Sequence, residues 1–354
     1  MAAGQEYAFL PAIPWFLVGN VPPLVTEKIR RAFHDNLMAW YDANRRDLPW
    51  RRTRDPYAIV VSEYMLQQTQ VATVIPYYLR WLDAFPDWAA LARAGESGVL
   101  KSWEGLGYYR RARFLHQLAK HVAGPLGGQL PRDAAALREL PGIGPYMAGA
   151  VASIAFGRKT PLVDGNVERV FARVFALSDP TGQTATKKKM WDIAEKLLPA
   201  ERCGDFNQAL MELGATVCTP RNPRCLLCPL EKACQAGDPH NFPVKRKTAS
   251  IVSDRTYAAV IKGGKIRLLK ASTPGLWKGL PRLPEWDGTW MKPGRPCGKL
   301  ALGITVHRIR ATVVCASPSG PAPADGEWIP LASLKSLTLP APHRRMIQMA
   351  LMDP

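Results

Sequence analysis

The stretch Leu140-Pro-Gly-Ile-Gly-Pro-Tyr-Met-Ala-Gly-Ala-Val151 constrains this chain most, because it reads as a helix end, a glycine turn and a new helix start in close succession. Asp133 is placed to cap a first helix running through Leu140, Pro141-Gly142-Ile143-Gly144 turns the chain, and Pro145 takes the first position of a second helix, where its missing N–H costs nothing. Free amides then point outward at the turn. Gly142 and Gly144 let backbone approach a ligand closely, and N–H groups at a helix start suit a phosphate. A DNA-contacting helix-hairpin-helix and an ordinary αα-hairpin fit these residues equally well.

The charge of the chain favours the first. A formal net charge of +18 points to a polyanion, most economically nucleic acid, with an anionic membrane surface as the weaker alternative. Residues 251–354 hold 15 Lys+Arg against 6 Asp+Glu, half of the excess, so a nucleic acid site is expected to span both halves. At 354 residues the chain is long enough for two or three domains. The apolar piece Leu10-Pro-Ala-Ile-Pro-Trp-Phe-Leu-Val-Gly19 is broken by prolines and has no basic region before it, so residues 1–25 read as an extension, neither signal peptide nor membrane span.

From Thr26, an N-cap, the apolar positions Ile29, Phe33, Leu37 and Trp40 predict a core-packing helix to about Tyr41. Leu48-Pro-Trp-Arg51 reads as an extended corner, and Pro56 opens a second helix to about Val71. On it Ile59, Glu63 and Leu66 share one face, which sets Glu63 on an apolar stripe with no basic residue between Pro56 and Gln70. A carboxyl so placed has a raised pKa and suits a general acid, whereas a Glu at the stripe's edge simply reaches solvent. The run Gln67-Gln68-Thr69-Gln70 offers amides to base edges, or only to a helix surface.

Pro76 to Phe85, Trp88 to Arg93 and Ser97 to Trp103 read as short helices, and no period-2 alternation occurs before residue 250, so the first two thirds are expected to be all-α. Gly105-Leu-Gly-Tyr108-Tyr-Arg-Arg-Ala-Arg113 is a glycine turn into a helix whose aromatics and cations suit base stacking and phosphate neutralisation. Asp164, in Thr160-Pro-Leu-Val-Asp-Gly-Asn166-Val, caps a further helix; its amide partners should hold its pKa low, apart from that of Glu63. Two carboxyls so separated are the arrangement of glycosidic bond cleavage, one donating a proton and the other facing an oxocarbenium ion.

Cys218, Cys225, Cys228 and Cys234 form a Cys-x6-Cys-x2-Cys-x5-Cys loop, close enough to bind a metal centre in a reducing compartment; chemistry alone leaves tetrahedral zinc and a [4Fe–4S] cluster open. Arg221, Arg224 and Lys232 make that loop a basic finger. Cys203, Cys297 and Cys315 are expected to be buried small hydrophobes.

Leu48-Pro-Trp, Ser62-Glu-Tyr-Met-Leu-Gln-Gln-Thr-Gln-Val71, Gly105-Leu-Gly-Tyr-Tyr, Leu140-Pro-Gly-Ile-Gly-Pro-Tyr, Val163-Asp-Gly-Asn-Val and the four-cysteine loop, in that order, closely resemble the adenine DNA glycosylases of the MutY type across about residues 26–237. The resemblance implies a [4Fe–4S] cluster and removal of adenine mispaired with 8-oxoguanine or guanine in double-stranded DNA. It implies that Glu63 protonates the flipped adenine, that Asp164 stabilises the oxocarbenium ion or its covalent successor, and that Tyr146 and Asn166 support them. Gln68 and Tyr108 fall where the family wedges the duplex. A pocket is needed because the glycosidic bond is not accessible within the stack. In the bifunctional endonuclease III type a hairpin lysine is the nucleophile; here Tyr146 stands in that place and no lysine lies between Lys120 and Lys159, which favours a monofunctional enzyme. Glu168, where a basic or neutral residue is frequent, is a departure that would weaken a phosphate or lesion contact. A non-catalytic, metal-braced DNA-binding protein is the remaining alternative, and the paired carboxyls argue against it.

Asp238 to Ser250 reads as a polar, basic linker. Thr256-Tyr-Ala-Ala-Val-Ile and Lys265-Ile-Arg-Leu-Leu-Lys flank Gly263-Gly264 as a β-hairpin, and Leu300 to Cys315 reads as more strand. Gly275-Leu-Trp-Lys-Gly-Leu-Pro-Arg-Leu-Pro284 resembles the Gly/Trp turn of the family's Nudix-like C-terminal domain, and without an acidic Nudix box such a domain binds rather than hydrolyses. The Phe-Ser-His-like lesion loop common in the family has its counterpart in Ile304-Thr-Val-His307, where Val306 replaces the hydroxyl donor beside His307. The expected architecture is therefore a mainly α helix-hairpin-helix glycosylase domain (26–237) with an iron–sulfur loop, a linker (238–250) and a smaller α+β Nudix-like domain (251–354). The expected state is a cytoplasmic, nucleoid-associated monomer.

Overall fold

The computed structural model describes residues 24–244 and 250–352; nearly all of the expected extension over residues 1–25, and linker positions 245–249, lie outside them. Thr26 caps α1 (Glu27–Arg31), its Oγ1 accepting from the Ile29 N–H at 3.3 Å. The helix passes through a π-helical segment, Ala32–Leu37, into α2 (Met38–Asn44). Ile29, Phe33 and Leu37 are buried along one side, as the apolar spacing predicts, but the next buried position is Tyr41 rather than Trp40, which is half-buried.

The expected helix from Pro56 to Val71 is instead two. Asp55 caps α3 (Pro56–Leu66), the chain leaves helical geometry at Gln67, and α4 (Val71–Ala84) starts afresh and carries Pro76 inside it rather than at its start. Then follow α5 (Trp88–Arg93), α6 (Glu96–Ser102), α7 (Arg110–Ala123), α8 (Ala134–Arg138), α9 (Pro145–Ile154), α10 (Gly165–Val174), α11 (Thr184–Leu197) and α12 (Cys203–Thr216). The hairpin joins α8 to α9 as read: the Asp133 carboxylate accepts from the Ala136 N–H at 2.9 Å, and Pro145 occupies the first turn of α9. Gly142 stands at φ 77°, and a Cβ there would meet the Tyr64 hydroxyl at 2.6 Å and Phe114 Cβ at 2.7 Å, so the turn needs glycine on both counts.

The helices enclose two apolar cores, one around Val61, Trp81, Trp103 and Leu115, the other around Phe33, Phe171, Phe206 and Leu213. Two helices serve both. Val60 and Tyr64 of α3 pack into the first and Ile59 into the second, while α9 divides Met147 and Val151 from Ala150 and Ile154 in the same way. Side chains of α3 and α9 near the seam are therefore held from two sides, and Glu63 and Tyr146 sit on these helices.

The remaining third is a five-stranded mixed sheet in the order β3-β4-β1-β2-β5: β1 (Ile251–Lys262), β2 (Lys265–Leu269), β3 (Met291–Ile304), β4 (His307–Pro318) and β5 (Gly326–Pro330). β1 and β2 form the predicted antiparallel hairpin, whereas β1 runs parallel to β4, a long-range pairing that local sequence does not reveal. The stretch Leu300 to Cys315 is not one strand. It turns at Thr305-Val306 between β3 and β4, with Thr305 at φ 52°. Nor are Cys297 and Cys315 separate buried hydrophobes: both are only half-buried, on neighbouring strands, with their sulfurs bonded at 2.11 Å. Cys203 is buried as expected. Helix α13 (Ala341–Met352) covers one face, packing Met346, Ile347 and Ala350 with Tyr257, Ile309 and Val313.

The sheet part docks onto the helices. Leu280 is buried in the first helical core, the Tyr109 hydroxyl donates to the Leu339 carbonyl at 3.1 Å, Arg113 donates to the Gly279 carbonyl at 2.7 Å, and Arg344 pairs with Glu104. Among the described residues no helix is long and apolar enough to cross a membrane.

Candidate active site

Between the two helical cores opens a cleft of about 1000 Å³, lined among others by Trp50, Arg51, Glu63, Gln68, Tyr146 and Asp164. Glu63 reaches its wall from the middle of α3, buried to 4% exposure. Its one side-chain hydrogen-bond partner among the described residues is Tyr146 on α9, whose hydroxyl donates to Oε2 at 2.5 Å. Burial drives the Glu63 carboxyl up to about 7; the Asp164 charge adds to this, while the Tyr146 hydrogen bond and Arg51 oppose it. Burial also holds the Tyr146 hydroxyl firmly protonated, so it remains a donor.

Asp164 caps α10 as predicted. Its Oδ1 accepts from the N–H groups of Asn166 (2.9 Å) and Val167 (2.7 Å), and its Oδ2 from Asn166 Nδ2 (2.8 Å). The expected low pKa is not found. Desolvation raises the Asp164 carboxyl and outweighs the three donors and Arg169, because the cap faces the cleft interior rather than open water. Both carboxyls are thus raised. They still differ in partners, three donors for Asp164 against one for Glu63, so the proton that the pair retains belongs on Glu63.

Asn166 is itself held. Arg169 Nη2 donates to Asn166 Oδ1 at 2.8 Å and to the Gly214 carbonyl at 2.7 Å, while its Nε donates to the Cys218 carbonyl at 2.7 Å. Gly214 on α12 permits this approach: a Cβ there would lie 2.6 Å from Asn166 Cβ.

Sequence reading assigned no role to Glu212, although it lines the cleft and is 1% exposed. Arg46 grips it with Nε at 2.7 Å and Nη2 at 2.8 Å, and Arg51 with Nη2 at 2.8 Å; the paired guanidinia hold its carboxyl below the usual range against burial. The available signal was a Glu between Leu210 and Leu213 on the apolar side of α12. Of the two arginines only Arg51 lay in a stretch that was read, as the end of an extended corner, and Pro49–Arg51 is instead a 3-10 turn.

Gln68 lines the cleft's rim, exposed and in the left-handed backbone region at φ 57°. Tyr108, 48% exposed at φ 47°, does not line the cleft but stands on the adjoining turn. Gly142 and Gly144 are exposed on the hairpin. Val306 lies in the β3–β4 turn and His307 opens β4, and neither lines the cleft; Val306 is exposed, and His307 Nδ1 is buried without a hydrogen-bond partner. Glu168 also lies off the cleft lining, half-buried, with burial raising its carboxyl and Lys187 opposing.

Cys218, Cys225, Cys228 and Cys234 line a separate cavity of about 260 Å³. Among the described residues no three His, Cys, Asp or Glu side chains close on a point where one ion would sit. Arg173, 2% exposed and without a carboxylate partner among the described residues, aims Nη1 at Cys218 Sγ (3.3 Å) and at the Thr219 carbonyl (2.8 Å). A buried guanidinium so placed fits an anionic thiolate centre in this cavity.

Residues 61–196 match the HhH-GPD superfamily base excision DNA repair protein family. The chain is 51% identical over 214 residues to the adenine DNA glycosylase of Homo sapiens, covering 58% of this chain but 39% of that one, so it spans well under half the length of that relative. It is 42% identical over 241 residues to the adenine DNA glycosylase of Mycolicibacterium smegmatis, covering 67% of this chain and 80% of that one. Among solved structures, a thermostable thymine-DNA glycosylase superposes with a TM-score of 0.54 at 34% identity, over 59% of this chain and 96% of the other.

Proposed function

Because the chain belongs to the adenine DNA glycosylase family, we propose that it is a monofunctional DNA N-glycosylase that flips adenine, mispaired with 8-oxoguanine or guanine, into the cleft and hydrolyses its glycosidic bond. One observation carries this reading: a buried carboxyl poised near neutrality shares a cleft with a second carboxyl that three donors hold in place. Glu63 gives its proton to the extruded base, which weakens the bond to the leaving group. Asp164, capped into a fixed orientation, faces the positive charge that develops on the sugar. Tyr146 keeps Glu63 in position by its hydroxyl, and Asn166 does the same for Asp164. Glu212 with Arg46 and Arg51 fixes a further part of the cleft wall. Tyr146, in the place of a hairpin lysine, leaves no amine there for a lyase step.

The hairpin amides at Gly142 and Gly144 take a phosphate, Gln68 and Tyr108 part the duplex, and the turn bearing Val306 and His307 faces the opposite base. In this reading residues 26–237 form the glycosylase domain, 238–250 the linker and 251–354 a Nudix-like lesion-reading domain, supported by a mixed sheet with a helix on one face. Cys218, Cys225, Cys228 and Cys234 would hold a [4Fe–4S] cluster; four thiols lining one cavity and the thiol-directed Arg173 support a metal centre there, and the family resemblance favours iron–sulfur over zinc. When bound, the cluster braces the loop that begins beside Arg169 and carries Arg221, Arg224 and Lys232. The protein acts on nucleoid DNA as a monomer.

The test is incubation of duplexes containing A:8-oxoguanine, A:G or an oxidised pyrimidine, with and without alkali. Strand breaks confined to the adenine mispairs and appearing only after alkali are expected; breaks without alkali identify a lyase and overturn the reading.

A further inference from the structure

Gln68 and Tyr108 stand on separate loops, and both hold left-handed backbone that a non-glycine residue keeps only where its surroundings impose it. One side chain imposes it on both. Arg111, in the first turn of α7 and 7% exposed, donates from Nη1 to the carbonyls of Tyr64 (2.9 Å), Met65 (3.0 Å) and Gln67, and from Nη2 to Thr69 Oγ1 (3.2 Å) and the carbonyls of Leu106 (2.8 Å) and Gly107 (3.1 Å). These acceptors flank Gln68 on both sides and lead directly into Tyr108. The Trp103 ring lies 5.2 Å from the guanidinium carbon.

Arg111 has no carboxylate partner among the described residues, and burial lowers its pKa to about 10. Burying a cation without a counter-ion is unfavourable, and surface alternatives for a stabilising arginine abound. Geometry accounts for its place: a planar fork with donors pointing two ways bridges two loops at once, which the single nitrogen of lysine does not. Arg111 also closes off the carbonyls left by the end of α3, where the chain turns out of helix at Gln67.

We propose that Arg111 is a positioning residue for duplex opening: its guanidinium locks the Gln67–Thr69 loop and the Leu106–Tyr108 turn together, so that Gln68 and Tyr108 enter the duplex as one rigid wedge. This rests on the reading of those two side chains as the wedge. Its consequence is specific to base extrusion, because Arg111 touches neither carboxyl of the cleft.

The test compares the full-length chain with Arg111→Met, Arg111→Lys, Gln68→Ala and Tyr108→Ala in single-turnover excision on two duplexes, adenine opposite 8-oxoguanine and adenine opposite a tetrahydrofuran abasic analogue, where no pairing resists extrusion. Each rate is taken relative to the unchanged chain on the same duplex. We expect Arg111→Met to fall at least tenfold on the paired duplex and to recover to within threefold on the unpaired one, with Arg111→Lys intermediate. The enhancement of 2-aminopurine fluorescence beside the target base should fall in parallel. Equal losses on both duplexes, or no loss on either, overturn the proposal. If Gln68→Ala and Tyr108→Ala lose no activity on the paired duplex, the wedge reading itself fails. Should Arg111→Met not fold by circular dichroism, Thr69→Val, which removes one link and leaves the guanidinium in place, carries the same comparison with a threefold loss expected on the paired duplex alone.

Discussion

Replacing Glu63 by Gln should make the protein more stable in alkaline solution while abolishing excision. Lifting a carboxyl from 4.5 to about 7 corresponds to about 3 kcal/mol between its two protonation states. The folded chain holds this proton more tightly than the unfolded chain, so the stability it contributes is full below 4.5 and is lost as pH rises through about 7. Above that, the fold carries an ionised carboxylate at 4% exposure with only Tyr146, among the described side chains, donating to it. Between pH 5 and pH 8 the loss comes to about 2 to 3 kcal/mol. The amide of the Glu63→Gln variant accepts the same Tyr146 hydrogen bond through its oxygen and does not titrate. Urea unfolding of both proteins across this range should show the gap in favour of Glu63→Gln widening by about 1 M in midpoint toward pH 8, for a slope of about 2–3 kcal/mol/M. Midpoints that run parallel from pH 5 to pH 8 would falsify the claim that Glu63 is the group held near neutrality. Function is here bought with fold stability at one position.

Single-turnover excision of adenine opposite 8-oxoguanine should fall about tenfold per pH unit above about 7, as Glu63 loses its proton; a flat profile to pH 9 assigns the acid elsewhere. Asp164→Asn keeps a good N-cap and should melt within about 1 kcal/mol of the parent, yet lose at least about 100-fold in excision rate; near-normal excision removes Asp164 from the chemistry. Iron analysis after anaerobic purification should return about four irons per chain, and stoichiometric zinc contradicts the cluster. A chain ending at residue 250 should still excise adenine but lose much of its preference for 8-oxoguanine over guanine opposite, and Val306→Ser in the full chain should raise that preference about two- to tenfold, the worth of one neutral hydrogen bond. An unchanged ratio in the shortened chain moves lesion reading into the helices.

What was legible in the sequence was local. The caps at Thr26, Asp133 and Asp164, and the proline-started helices α3 and α9, follow from side chains at their own helix starts. The apolar stripe bearing Glu63 needs only helical periodicity. The break at Gln67 was not legible, because a residue more than forty positions away holds it, and Gln and Thr carry no turn signal of their own. Glu212 was hidden likewise: its partners Arg46 and Arg51 are over 160 positions distant. The pKa of Asp164 was misjudged for a related reason. The capping amides are sequence-local, but the depth of the cleft around them is made by α3, α9 and α12, and desolvation is set by all three.

Gly214 has no atom that could take part in any reaction, and it sits in the interior of a helix, where alanine would ordinarily be the better residue. Yet the missing methyl is what allows Asn166 to lie where its N–H and its amide both meet Asp164. A Gly214→Ala change would therefore gain helix propensity but push the start of α10, and with it Asn166 and Asp164, away from α12, at a packing cost of about 1–3 kcal/mol. The consequence is that a residue with no side chain sets the spacing of two helices: one methyl group there acts on the cleft from its outer side, through backbone, without touching its interior.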